Sequence, residues 1–195
     1  MWKKVVLAMC MLTSTIAVDV EQIHLSFTGD ETSMGIDFVS TTESALVVEY
    51  QAFESTSTSQ SVTTLPQEYP NIGWLHRTEM TSLSADSDGF VEYRVRDDSD
   101  DSVTDWISFQ ALPYTRDPAP VAAVFADFGL ANDVSMEHIQ NDARDGKIDF
   151  ALHAGDFAYD LVSNNSETGN RFMREVSQFT SKMPYMGCVG NHERH

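Results

Sequence analysis

Val121-Ala122-Ala123-Val124-Phe125-Ala126-Asp127-Phe128-Gly129 is the stretch that decides the fold. A continuous apolar run, Val121 to Phe125, breaks into a carboxylate and a glycine. Such a run reads as a strand buried on both faces of a parallel sheet. The same grammar returns twice. Ile148 to Ala154 leads into Gly155-Asp156-Phe157-Ala158-Tyr159, and Tyr185 to Val189 leads into Gly190-Asn191-His192-Glu193. Helical periodicity fills the gaps. One helix is expected from a cap at Asn132 or Asp133 to Arg144, with Val134, His138 and Ile139 on its face and Gly146 as its stop. A second is expected from Arg171 to Lys182, with Phe172, Val176 and Phe179 on one face. Strand–helix–strand–helix–strand implies a parallel sheet with right-handed crossovers.

Upstream the rhythm differs. Ile23–Phe27, Gly35–Val39, Ala45–Tyr50, Trp74–Thr78, Val91–Val95 and Trp106–Phe109 are short runs with full or partial apolar–polar alternation. Ser, Thr, Asp and Gly clusters separate them, which fits a small antiparallel sandwich. Ser55 to Thr64 reads as a loop entering a strand. The acidic stretch Asp86 to Asp105 reads as a solvated hairpin loop rather than a calcium site, because EF-hand spacing is missing. Three prolines in 113–120 mark a linker. The expected division is 1–17 signal peptide, 18–112 β-sandwich, 113–120 linker and 121–195 α/β domain.

The signal peptide is read from Lys3 and Lys4, the short apolar run Val5–Leu12, and the small residues before a cut after Ala17. That run is too short to cross a bilayer. Cleavage would take the formal charge from −18 to about −20. So acidic a chain is a poor ligand for nucleic acid or anionic lipid, and any phosphate site on it must be made locally positive, as cations can do. Cys10 falls in the leader, so Cys188 is left alone and no internal disulfide framework exists. Asn164-Asn165-Ser166 matches an N-glycan acceptor. The expected address is secreted, extracellular or endomembrane lumen.

Asp127, Asp156 and Asn191 lie 29 and 35 residues apart, about one βαβ unit each. Open α/β sheets bind ligands beyond the carboxyl ends of their strands, so neighbouring strands would bring these side chains together. Two carboxylates, an amide oxygen and the Tyr159 phenol suit hard cations. Asp156, in the middle, is placed to bridge two ions. A phenolate ligand favours Fe(III). Two ions about 3.5–4 Å apart polarise a phosphoryl oxygen and generate a hydroxide nucleophile. His192 is read as a hydrogen-bond donor to phosphate or an acid for the leaving alkoxide. Taken singly, Asp127 and Asn191 read as turn residues and Tyr159 as a packed aromatic; their joint order after three strands is what points to a site. His153 reads as a strand-end residue near the site, His138 as unconnected, and Glu193 as an aid to the backbone or to His192.

These blocks resemble the purple acid phosphatases within the calcineurin-like metallophosphoesterases. The wider superfamily opens its first motif with Asp-x-His; here Gly129 holds the histidine position and Tyr159 supplies a phenol, which is the purple acid phosphatase pattern. The sandwich, around His76-Arg77-Thr78 and Val91–Val95, resembles that family's fibronectin-like N-terminal domain. The resemblance implies a β plus α/β fold, and Fe(III) held by Asp127 and Tyr159 with Asp156 bridging. It implies that Asn191 binds a second, divalent ion (iron, zinc or manganese), with His192 outside the ligand set and a phosphomonoester as substrate. The family adds three histidine ligands from two later motifs, which residues 1–195 do not contain. The expectation is therefore an N-terminal fragment, incomplete and inactive. The alternatives are a non-catalytic secreted fragment, an incomplete gene model, or another metallophosphoesterase such as a phosphodiesterase.

Overall fold

The computed structural model describes residues 17–57, 59–69, 71–85, 88–111 and 119–194. All but the last residue of the expected signal peptide, most of the linker, and His195 lie outside them. Among the described residues, no helix is long and apolar enough to cross a membrane.

Two antiparallel sheets form the first half. One orders β1 (Val20–Ser26), β2 (Met34–Ser40), β6 (Gly73–Met80) and β5 (Gln67–Tyr69) as β1-β2-β6-β5. The other runs β4 (Gln60–Thr64), β3 (Leu46–Ala52), β7 (Phe90–Asp97) and β8 (Ser102–Val103), with β9 (Ile107–Gln110) also on β7. Successive strand side chains point to opposite faces, so every second residue enters the core. Leu46, Val48 and Tyr50 on β3, and Val91, Tyr93 and Val95 on β7, are buried on that period against Leu25, Ile36 and Phe38. The Ser/Thr-rich stretch does lead into a strand, β4, but the acidic stretch is not one loop: β7 and β8 lie within it and only 98–101 turn between them.

The second half is a parallel sheet in the order β10 (Ala122–Phe125), β11 (Phe150–Ala154), β12 (Tyr185–Cys188). Helices α1 (Met136–Arg144) and α2 (Glu167–Thr180) join the strands. Phe172, Val176 and Phe179 are fully buried on one face of α2, as their spacing requires. Each contributes roughly 1.5–3 kcal/mol by leaving water. Gly146, at φ 68°, closes α1 by donating to Ala143 O at 3.1 Å.

Three further local expectations are corrected. Asn132 does not cap α1; Ser135 occupies the cap position and Asn132 turns back to the loop after β10. Val134 stands outside the helix and is exposed, while Met136 is buried in its stead. The parallel strands are not covered on both faces. Both helices and the second core lie on one side, under Ala151, His153 and Tyr185, and the other side leaves Val124 68% and Leu152 37% exposed.

The two halves are bonded to each other along β1 and α2. Gln22 Nε2 donates to Asn170 Oδ1 at 3.1 Å and Thr180 Oγ1 to Ile23 O at 2.9 Å. Tyr93 Oη donates to Ser181 O at 2.7 Å, and Arg174 pairs with Glu21 at 2.8 Å. An isolated bridge between Leu25 and Pro184 continues the contact to the foot of β12.

Candidate metal centre

Each parallel strand ends in one loop of the site, and backbone bonds lace the loops together. Asp127 N donates to Gly155 O at 3.1 Å, Ala158 N to Phe128 O at 3.2 Å, and Phe128 and Phe157 form a parallel bridge. Asn132 secures the first loop: its Oδ1 accepts from Gly129 N at 2.9 Å and its Nδ2 donates to Asp127 O. The second and third loops meet backbone to backbone. A Cβ on Gly155 would fall 2.7 Å from Gly190 Cα, and one on Gly190 would overlap Asp156 Oδ1. Only glycines allow that approach.

Glu193 ties the third loop to the second. Its carboxylate accepts from Asp156 N at 3.0 Å, Phe157 N at 2.9 Å and Gly190 N at 2.7 Å. Burial opposes its ionisation, but these three donors outweigh burial and hold its carboxyl below the usual range.

Within this frame Tyr159 Oη donates to Asp127 Oδ1 at 2.7 Å. That bond, chiefly, pushes the phenol up to about 12, with burial and the charges of Asp127, Asp156 and Glu193 adding to it. Asp156 is buried and its Oδ1 accepts from His192 N at 3.0 Å. Asn191, between Gly190 and His192, is exposed beside them. The His192 ring stands 4.8 Å from that of Tyr159, and its Nδ1 lies 2.6 Å from Asp160 Oδ1. An ionised carboxylate only accepts, so Nδ1 carries the proton and Nε2 is the remaining nitrogen. The bond to Asp160 outweighs burial and raises the imidazole above its ordinary value.

The structure thus brings Asp127 and Tyr159 into direct contact and binds Asp156 to the backbone of His192. Asn191 is carried to the same corner by its neighbours, without a side-chain bond to the other donors. Asp127, Asp156 and Tyr159 all have φ between 41° and 57°. The left-handed region is tolerable for Asp but unusual for a bulky residue, and such backbone clusters at functional sites. Sequence reasoning missed Asp160 and Asn132; Asp160 follows Tyr159 directly, and only the fold shows it reaching His192.

The donor chemistry fits cations. Among the described residues neither Asp127 nor Asp156 has a Lys or Arg partner, although Asp156 is buried. A buried carboxylate needs a counter-charge. Among the described residues no three His, Cys, Asp or Glu side chains cluster as a metal site on their own. The set here is instead carboxylate, phenol and amide oxygen. The ring of Tyr159 also occupies the space beside Gly129: a Cβ there would lie 3.1 Å from Tyr159 Cδ2.

Known proteins resemble the chain in sequence and in fold. Residues 20–111 match the family model described as "Purple acid Phosphatase, N-terminal domain". A curated Danio rerio protein named acid phosphatase type 7 is 32% identical over 184 residues, covering 91% of this chain and 41% of that protein. Its Homo sapiens namesake is 30% identical over 179 residues, covering 89% of this chain and 40% of its own length. The chain therefore spans about two fifths of the curated relatives it matches. A purple acid phosphatase from yellow lupin seeds shares the fold, with a TM-score of 0.73 at 18% identity over 91% of this chain and 36% of that structure. The chain thus resembles the purple acid phosphatases, by the N-terminal domain model over residues 20–111 and by acid phosphatase type 7 over about nine tenths of its length.

Proposed function

We propose that these loops contribute to a two-cation site that hydrolyses phosphomonoesters. The observation that carries this reading is the Tyr159–Asp127 pair, with the phenol ring packed close beside Gly129. In the proposed arrangement Asp127 and Tyr159 would hold Fe(III), Asp156 would serve both ions, and Asn191 would hold a divalent iron, zinc or manganese ion. When bound, such a pair polarises a phosphoryl oxygen and makes water a nucleophile near neutral pH. The chain's own residues prepare that site. Glu193 keeps the second and third loops together, Asn132 shapes the first, and Asp160 orients His192 so that Nε2 serves the phosphate or the leaving oxygen.

Residues 1–195 supply the oxygen donors of this set, and turnover requires the histidine donors that the family resemblance implies. The expected experiment is hydrolysis of p-nitrophenyl phosphate by the natural protein, with Asp156→Asn as control and absorption spectra of Tyr159→Phe. Loss of turnover in the first and of a visible charge-transfer band in the second supports the assignment. Full activity in Asp156→Asn, or a colourless and fully active wild type, refutes it.

The secretory reading belongs to the same proposal. Asn164 is exposed in the turn before α2, as an N-glycan acceptor must be. Intact-mass measurement of secreted protein, before and after glycan removal, tests both leader cleavage after Ala17 and occupancy of Asn164.

A further inference from the structure

Beneath the three loops sits a buried imidazole that the proposed reaction does not use. His153, on β11, is 1% exposed. Its ring lies 4.1 Å from that of Phe157, 4.9 Å from Phe125, and 6.0 Å from both Phe128 and Tyr185. Phe128 and Phe157 each follow a candidate donor, and Tyr185 opens the strand that leads to Asn191. His153 is therefore the hub on which the roots of all three loops pack.

A phenylalanine would fill that hub at lower cost. Burial holds the imidazole down at about 4, against the pull of Glu193 and Asp127, so it is neutral there. Among the described residues its Nε2 meets no well-formed hydrogen-bond partner, which itself costs stability. What carbon cannot supply is the bond from Nδ1 to Tyr185 Oη, 2.6 Å long and buried. That bond spans β11 and β12, where His153 pairs in register with Gly187 and Ala151 with Tyr185. Gly187 completes the fit, since a Cβ there would come within 2.6 Å of Phe157 Cζ. Between β10 and β11 the matching pair is Phe125 and His153, which meet only as rings. The polar clamp thus acts on the strands that end at Asp156 and Asn191, and not on the pair that ends at Asp127 and Asp156.

We propose that His153, clamped by Tyr185, is a positioning residue for the second, divalent cation, setting the separation of Asp156 from Asn191 while leaving the Asp127–Tyr159 pair largely unaffected. This rests on the donor set proposed above. Tyr185→Phe removes a single oxygen, and His153→Phe keeps the ring while removing the polar link. The natural protein and both variants would be loaded with iron and zinc. Zinc affinity would be read by chelator competition, ferric–tyrosinate absorption by spectroscopy, and stability by thermal melting. The expected result is zinc binding weakened about tenfold or more in both variants, with the ferric band unchanged. Parallel weakening of both ions in step with the melting temperature, or unchanged zinc affinity in the folded Tyr185→Phe protein, overturns the proposal. A wild-type protein that binds both ions without a Tyr159-dependent band refutes the donor set instead, and the two failures are told apart by that control.

Discussion

Tyr159 and Gly129 pack tightly: a Cβ at 129 would lie 3.1 Å from Tyr159 Cδ2 and as near to the Ala158 backbone. Gly129→His should therefore drive the ring out and break the Tyr159–Asp127 bond rather than add a ligand. The expected outcome is loss of any Tyr159-dependent absorption on iron loading. Gly129→His combined with Tyr159→Phe should fare no worse than Gly129→His alone in thermal melting, because the displaced ring no longer has a hydrogen bond to lose. A Gly129→His protein that keeps the full band would show that the two positions are independent.

Glu193 accepts three backbone N–H groups from two loops, so Glu193→Gln should cost about 1–3 kcal/mol, the range for one or two hydrogen bonds to a charged, part-exposed group. The signature is local. Amide exchange at Asp156, Phe157 and Gly190 should accelerate more than exchange in the sandwich strands. Equal acceleration everywhere would mean that Glu193 contributes only to global stability.

Along the seam between the halves, burial rather than charge should rank the contacts. Tyr93→Phe, which strips a buried hydroxyl from Ser181 O, is expected to cost about 1–2 kcal/mol. Arg174→Ala, which breaks an exposed pair with Glu21, should cost less than about 1 kcal/mol. Urea unfolding of the two variants checks the order, and a larger loss in Arg174→Ala would reverse it.

His76 gives the sandwich an acid-sensitive core. Its ring is fully buried and stacks on Phe38 at 4.9 Å, with Nε2 2.9 Å from Ser40 Oγ. Burial lowers its pKa from the ordinary 6.5. The unfolded chain then takes up the proton first as pH falls. The contribution is complete above the unfolded value and is eroded from there down to the lowered folded value. Denaturant titrations of wild type should show stability declining below about pH 6.5. His76→Gln, which has no titrating ring, should flatten that part of the profile, whatever its stability at neutral pH. An unchanged slope would place the acid response elsewhere.

Much of the architecture was legible because two periods compete in this sequence. Alternation in Val91–Val95 and the spacing of Phe172, Val176 and Phe179 each predict one buried face, and each face is buried. The loop order after three apolar runs likewise pointed to one corner of the sheet. Three features were hidden for physical reasons. Val124 is apolar yet exposed, because a run of apolar residues cannot say on which side the helices will lie. Asn132 sits just ahead of a helix and bonds to a loop behind it, a choice between two nearby sets of backbone donors and acceptors. Asp160 becomes visible only once the turn after Tyr159 carries it to His192.

The bare side of the parallel sheet carries one more implication. Val124 and Leu152 meet solvent without help from any helix, so a lysine at Val124 would displace no packed neighbour and should leave the fold intact. Side chains that folding does not require, yet which remain apolar, are suited to contact. Such a strip is expected to favour contact with other apolar surfaces.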